Sequence, residues 1–181
     1  MKKILAVASV VAWLLFQPSP ALAHPHLFIK PFVGLAATKG EIEGIRIRWE
    51  WDEWWSEDVV SQCDTDRNNA FSPKEQKKVK SGFFDGAKDF QYFTAIRING
   101  KKTSFGEARN FTATIIPGGT VAYEFLLPLA KKQPLKGKME ICFNDETIYT
   151  AFDENVGLLG DKKYIKRATS EIYEDYGVRV L

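Results

Sequence analysis

Residues 41–51 read Glu-Ile-Glu-Gly-Ile-Arg-Ile-Arg-Trp-Glu-Trp, and the last seven alternate strictly: Ile45, Ile47, Trp49 and Trp51 against Arg46, Arg48 and Glu50. A period of two with large apolar groups on one side is the pattern of a half-buried β-strand. Upstream, Leu27 to Leu35 is β-branched, aromatic or apolar, and Lys39-Gly40 supplies a turn, so the two stretches form a hairpin. Four of the five tryptophans fall between 49 and 55. Core and sheet-edge packing accounts for them better than a ligand platform, because aromatics bury large area wherever they fall.

Downstream the pattern changes twice. Glu53 to Gln62 predicts a helix, and Pro73, suited to a first helical turn, opens a second one to about Lys88. Strands then return: Tyr92–Asn99, a turn at Asn99-Gly100, Lys101–Phe105, Asn110–Ile116 and Val121–Leu127 around Pro117-Gly118-Gly119. Lys138–Phe143 and Thr147–Phe152 flank Asn144-Asp145-Glu146 as a further hairpin, and Tyr173–Leu181 offers a last strand. Strands outnumber helices by about four to one, which predicts a mainly β (α+β) fold: an antiparallel β-sandwich with a helix–loop–helix insert at about 53–88.

The first 23 residues have the layout of a cleavable signal peptide: Lys2-Lys3, an apolar run from Ile4 to Phe16, and Ala21-Leu22-Ala23 before the cut. The expected mature chain is a single domain, 24–181, in the bacterial periplasm. No cysteine stands at the cleavage point to carry a lipid, and no later stretch approaches the roughly 20 apolar residues of a membrane span. The chain has 25 Lys+Arg and 23 Asp+Glu, and cleavage takes Lys2 and Lys3 with it. A nearly neutral chain without a basic stripe gives no support for nucleic-acid binding. Cys63 and Cys142 have two open fates. They could pair, closing a long loop for about 3–5 kcal/mol in the chain-entropy picture, or remain two small buried hydrophobes.

Both histidines of the chain, His24 and His26, follow the expected cut directly. His24 would then supply a terminal amine and an imidazole, and His26 a second imidazole on the same face of an extended chain, about 6.5–7 Å on. Nitrogen ligands of this kind suit Zn, Ni or Cu rather than Ca or Mg. Pro25 has no amide hydrogen, which removes the compact chelate built on deprotonated backbone amides. Glu50, Asp52, Glu53 and Glu57 are nearby acids, none singled out as a further ligand. The competing expectation is a frayed, solvated terminus.

Residues 64–75, Asp-Thr-Asp-Arg-Asn-Asn-Ala-Phe-Ser-Pro-Lys-Glu, resemble an EF-hand loop. Asp64, Asp66 and Asn68 would give side-chain oxygens, Ala70 its carbonyl, Ser72 a direct or water-mediated contact and Glu75 a bidentate carboxylate, a set suited to Ca (or Mg). Asn69 stands where that loop has glycine, although asparagine tolerates the left-handed conformation better than most residues. A solitary loop in an exported chain points to a structural ion rather than a sensor. The competing expectation is a polar turn between helices.

The segment Ala23-His24-Pro25-His26-Leu27-Phe28-Ile29, then Trp49 with Asp52-Glu53, then Asp64-Thr65-Asp66, resembles the DUF1007 family of exported bacterial proteins. The resemblance spans most of the mature chain and is sharpest in its first half; Cys63 and Asn69 are departures. It implies a periplasmic component working with a nickel/cobalt-type inner-membrane permease, in some cases in zinc uptake, with His24 and His26 as transition-metal ligands. The expectation is a non-enzymatic accessory that captures or delivers Zn, Ni or Co. No G-x-S-x-G, phosphate loop or H-E-x-x-H is present. Two alternatives remain: a copper-dependent redox protein with an N-terminal histidine brace, and a calcium-stabilised structural or interaction module.

Overall fold

A computed structural model describes residues 26–147, 149–160, 170–173 and 177–180. The expected signal peptide, His24 and Pro25 lie outside the described residues. Strand β1 (Leu27–Thr38) and β2 (Glu41–Trp51) form the expected hairpin, with Lys39 and Gly40 both at positive φ in a two-residue turn. Two helices follow, α1 (Glu53–Cys63) and α2 (Pro73–Phe83), then a 3-10 segment (Asp85–Phe93). The remaining strands are β3 (Thr94–Ile98), β4 (Lys101–Lys102), β5 (Arg109–Ile115), β6 (Val121–Pro134), β7 (Met139–Phe143), β8 (Thr150–Phe152), β9 (Gly157–Leu158), β10 (Ser170–Tyr173) and β11 (Gly177–Val180).

Two sheets result, ordered β5-β6-β2-β1-β8, with β9 also on β1, and β10-β11-β7-β3-β4. The alternation read at 45–51 holds. Ile45, Ile47, Trp49 and Trp51 are buried, whereas Arg48 and Glu50 pair with each other on the outer face. Trp49 packs edge-on to Phe125 at 4.7 Å and lies 5.8 Å from Phe93, which leads through Phe152 to Phe143 in the second sheet. One aromatic chain thus joins the two layers. The indole N–H groups of Trp49 and Trp51 are buried without an acceptor among the described residues, at about 1–3 kcal/mol each, so ring burial outweighs that cost.

Several expectations need correction. The second helix stops at Phe83 instead of Lys88, because Phe84 turns into the core and its φ of −129° leaves helical geometry. At Gln91, Tyr92 and Phe93 three successive positive φ values delay the next strand to Thr94. This left-handed turn sends Tyr92 against Phe84 and Phe125, and Phe93 against Trp49. Residues 138–152 are not a hairpin. Buried Asp145 accepts from Thr147 N and Oγ1 and from Thr150 N, and these bonds carry the chain across from β7 in one sheet to β8 in the other. It arrives parallel to β1, as does β9, so the first sheet is mixed rather than wholly antiparallel. The last strand is Gly177–Val180, paired with an additional strand at 170–173. Cys63 and Cys142 are both buried and unpaired, one ending α1 and the other on β7, which matches the small-hydrophobe alternative.

The helix pair covers an edge of the first sheet. Gln76 on α2 donates from Nε2 to Ala113 O at 2.6 Å and accepts from Ala113 N at 2.8 Å, so its amide stands in for a neighbouring strand on β5. On the other helix, Ser56 Oγ accepts from Val121 N at 2.9 Å, and Trp55 stacks on Trp51 at 4.7 Å. Replacing Gln76 by alanine strips both edge bonds. The expected loss of unfolding free energy is about 1–3 kcal/mol by urea titration, and an unchanged midpoint and slope would show that the clasp contributes nothing.

Candidate metal centre

The loop between α1 and α2 is held at both ends by helix caps. Asp64 ends α1 with its amide donating to Val60 O, and α2 opens with a capping box in which Ser72 and Glu75 bond reciprocally around Pro73. This geometry turns Asp64 and Glu75 inward, at 5% and 4% exposure, while Asp66 stays at the surface. One oxygen from each of Asp64, Asp66 and Glu75 lies within 4.8 Å of the others. Among the described residues none of these three carboxylates forms an ion pair with a lysine or arginine.

Loop donors hold the carboxylates in place. Glu75 Oε1 accepts from Thr65 Oγ1 at 2.6 Å and Thr65 N at 2.7 Å, and Oε2 from Ser72 Oγ at 2.8 Å and Ser72 N at 2.9 Å. The Thr65 hydroxyl and then the Ser72 amide are the main causes that lower the Glu75 pKa to about 2, since every such bond favours the charged form. Asp64 accepts from Asn68 N at 3.2 Å and Asn69 N at 3.0 Å. Asn68 Oδ1 is turned to Ala70 N, and its Nδ2 donates to Asp66. Asn69, at the expected glycine position, has φ 60°, and Arg67 has φ 57°. The backbone therefore makes the left-handed bend without glycine.

Three converging carboxylates, two of them buried and none ion-paired, form an oxygen-only set of the kind that takes a hard divalent cation. Each oxygen of Asp64 and Asp66 keeps a lone pair beyond the bonds above. The four donors on Glu75 occupy both lone pairs of each of its oxygens, so a cation there would have to displace Thr65 or Ser72 donors. Of the six loop residues singled out in the sequence, the structure gathers Asp64, Asp66 and Glu75; the Asn68 and Ser72 side chains serve the loop's own hydrogen bonds. Thr65 was missed, and nothing in the residue order marks a threonine as the main holder of a glutamate ten residues on.

The histidine end is a separate place. His26 is exposed, its amide donates to Tyr149 O at 2.8 Å, and its ring lies 5.2 Å from the Tyr149 ring. It joins no group of three or more ligating side chains among the described residues. The structure distinguishes the four nearby acids. Asp52 Oδ2 accepts from Phe28 N at 2.5 Å, which puts this carboxylate beside the start of β1, the strand that His26 precedes, while its Oδ1 caps α1 through Trp55 N. Glu50 is paired with Arg48, and Glu53 and Glu57 line another groove. The 11 residues of α1 separate Asp52 from the acidic loop, a distance of about 16 Å at 1.5 Å per residue.

A family described as protein of unknown function (DUF1007) matches over residues 9–166. The chain belongs to the DUF1007 family. It is also 34% identical over 92 residues to an uncharacterised 15.5 kDa protein from the trpE 3′ region of Spirochaeta aurantia, a match covering 51% of this chain and 65% of that relative. The shared length is thus a little under two thirds of the relative.

Glu75 gives this DUF1007 chain a defined acid response. Its folded pKa, about 2, lies below the ordinary glutamate value of about 4.3, so its contribution is complete above that ordinary value and is lost as pH falls toward the folded one. In metal-free buffer the wild type is expected to lose stability more steeply than Glu75→Gln between about pH 4.5 and 2. Parallel urea midpoints across that window would refute the assignment.

Proposed function

We propose that this DUF1007 protein is an exported, non-enzymatic metal-binding accessory that captures or delivers a transition metal, Zn, Ni or Co, to a partner inner-membrane permease in the periplasm. The observation that carries metal binding is the convergence of Asp64, Asp66 and Glu75 within 4.8 Å without an ion-pair partner among the described residues. In this proposal the loop works in the EF-hand manner and holds calcium as a structural ion, while the cargo metal binds at the other end of α1. There His24 would supply its amine and imidazole and His26 its imidazole, which are ligands of the borderline class that Zn, Ni and Co prefer. The exposure of His26, at a strand start fixed by Tyr149, leaves its ring accessible for exchange with a partner.

The two ions separate by chemistry, so two titrations test the proposal. Calcium is expected to raise the melting temperature of the wild type and to leave Asp64→Asn with Glu75→Gln unmoved; at a hundred times its Kd, a ligand bound only to the folded state contributes about 2.7 kcal/mol. Zinc or nickel binding to the chain beginning at His24 is expected to weaken at least tenfold when one residue is added before His24, since that displaces the amine. If calcium gives no shift, the structural-ion part falls. If the added residue and the His24→Ala, His26→Ala double variant both leave transition-metal affinity unchanged, the cargo site is elsewhere.

A further inference from the structure

The hairpin between β3 and β4 turns on Asn99 and Gly100, both exposed, with φ of 50° and 77°. Two residues at positive φ form the tight turn that Asn-Gly favours. This turn is also held from outside. Asn99 N donates to Lys138 O at 2.8 Å, and Asn99 Oδ1 accepts from Lys138 N at 3.0 Å. These bonds continue the pairing of Ile98 with Met139 one step past the end of β3, with Oδ1 in place of a backbone carbonyl. Gly137, at φ 99°, makes the room: a Cβ there would overlap Asn99 Oδ1 and stand 2.9 Å from Nδ2.

An asparagine followed by glycine carries a reaction of its own. The glycine nitrogen can attack the asparagine Cγ, because no side chain on the glycine hinders the approach. An N–Cγ bond forms and the Cγ–Nδ2 bond breaks, which closes a five-membered succinimide; ammonia leaves with the proton of the glycine nitrogen. Water then opens the ring at either carbonyl to give aspartate or isoaspartate. Asn99 is the one asparagine of the chain with glycine after it. We propose that Asn99 is a latent modification site of this kind, shut in the folded chain by the clasp of Gly137 and Lys138 and opened when that clasp lets go. Closing the ring needs Cγ to swing onto the Gly100 nitrogen, and that swing takes Oδ1 off Lys138 N.

The product matters because of where the turn sits. Isoaspartate runs the backbone through the former side chain and puts one extra carbon between residues 99 and 100. A two-residue turn then no longer sets Ile98 opposite Lys101 and Arg97 opposite Lys102. The bond from Thr103 N to Ile96 O belongs to the same hairpin and is lost with it. Strand β4 ends the second sheet, so its release bares the edge of β3, and an uncovered strand edge is a template for pairing with another chain. Neither metal site above enters this chemistry.

The chain beginning at His24 is incubated in mildly alkaline buffer, folded and in guanidinium chloride, and digested for mass spectrometry. Modification reads as a gain of one mass unit at Asn99, with the isoaspartate form separated by chromatography. The folded wild type is expected to react at least tenfold more slowly than the unfolded chain. Gly137→Ala should speed the folded reaction at least threefold, whereas Gly118→Ala, a glycine at φ 101° with open space around it, should leave it within twofold. In the folded wild type, the Lys138 amide should lose hydrogen-exchange protection in parallel with the rate as urea is raised below the unfolding transition. In the isoaspartate form the Thr103 amide should exchange freely. Equal rates in folded and unfolded chains, equal rates in the two glycine variants, a Lys138 amide that opens without any change in rate, or earlier modification at another asparagine would overturn the site. A Thr103 amide still protected in the isoaspartate form would overturn the release of β4.

Discussion

Asp52 is the joint on which the rest depends. Its amide donates to Phe28 O at 3.0 Å, its Oδ2 accepts from Phe28 N at 2.5 Å, and its Oδ1 accepts from Trp55 N at 2.9 Å. One residue therefore ties the start of β1 to the end of β2 and also starts α1. A strand must hand over to a helix here without leaving amides unpaired, and a carboxylate with two oxygens can serve both elements at once. The direction of α1 follows from that joint, and with it the position of the acidic loop at the helix's far end.

The helix pair is held to the sheet by polar contacts as much as by burial. Val59, Cys63 and Val79 are fully buried, but Ser56 bonded to Val121 and Gln76 bonded to Ala113 fix where along β6 and β5 the helices sit. Gln76 immediately follows Glu75, so one turn of α2 both closes the β5 edge and presents the deepest carboxylate of the loop. A loop of this composition on unsupported helices would spread its charges apart. Here the capping box and the Thr65 bonds compensate the repulsion locally by hydrogen bonding to the charged form.

How much of this was legible in the sequence depends on the range of the interaction. Local signals read correctly: the alternation at 45–51, the Asn99-Gly100 turn with both residues at positive φ, and Pro73 at the start of α2. The proximity of Asp64, Asp66 and Glu75 is local in the same sense, since two helix ends bring those positions together. Contacts between distant segments did not. Asn144-Asp145-Glu146 carries ordinary turn residues, and nothing local says that Asp145 will bond forward to Thr150 and send the chain to the other sheet. Likewise nothing in residues 85–93 marks a left-handed turn, because burial of Tyr92 and Phe93 against partners as far away as Phe125 and Trp49 outweighs the local backbone preference.

The separation of the two ends of α1 bears on how any bound ions would interact. The two ends of α1 lie about 16 Å apart at 1.5 Å per residue, beyond the Debye length of about 8 Å at physiological ionic strength, so direct electrostatic coupling between an ion at the loop and the Asp52 end would be weak. Mechanical coupling would have to pass along α1, yet that helix is pinned between its ends by Ser56 and by the Trp55–Trp51 stack. A rigid element fixed in the middle transmits little displacement, and allosteric coupling needs two arrangements that each site biases differently. An ion bound at the loop would therefore act on the stability of the fold through α1 and α2 and have little influence at the Asp52 end.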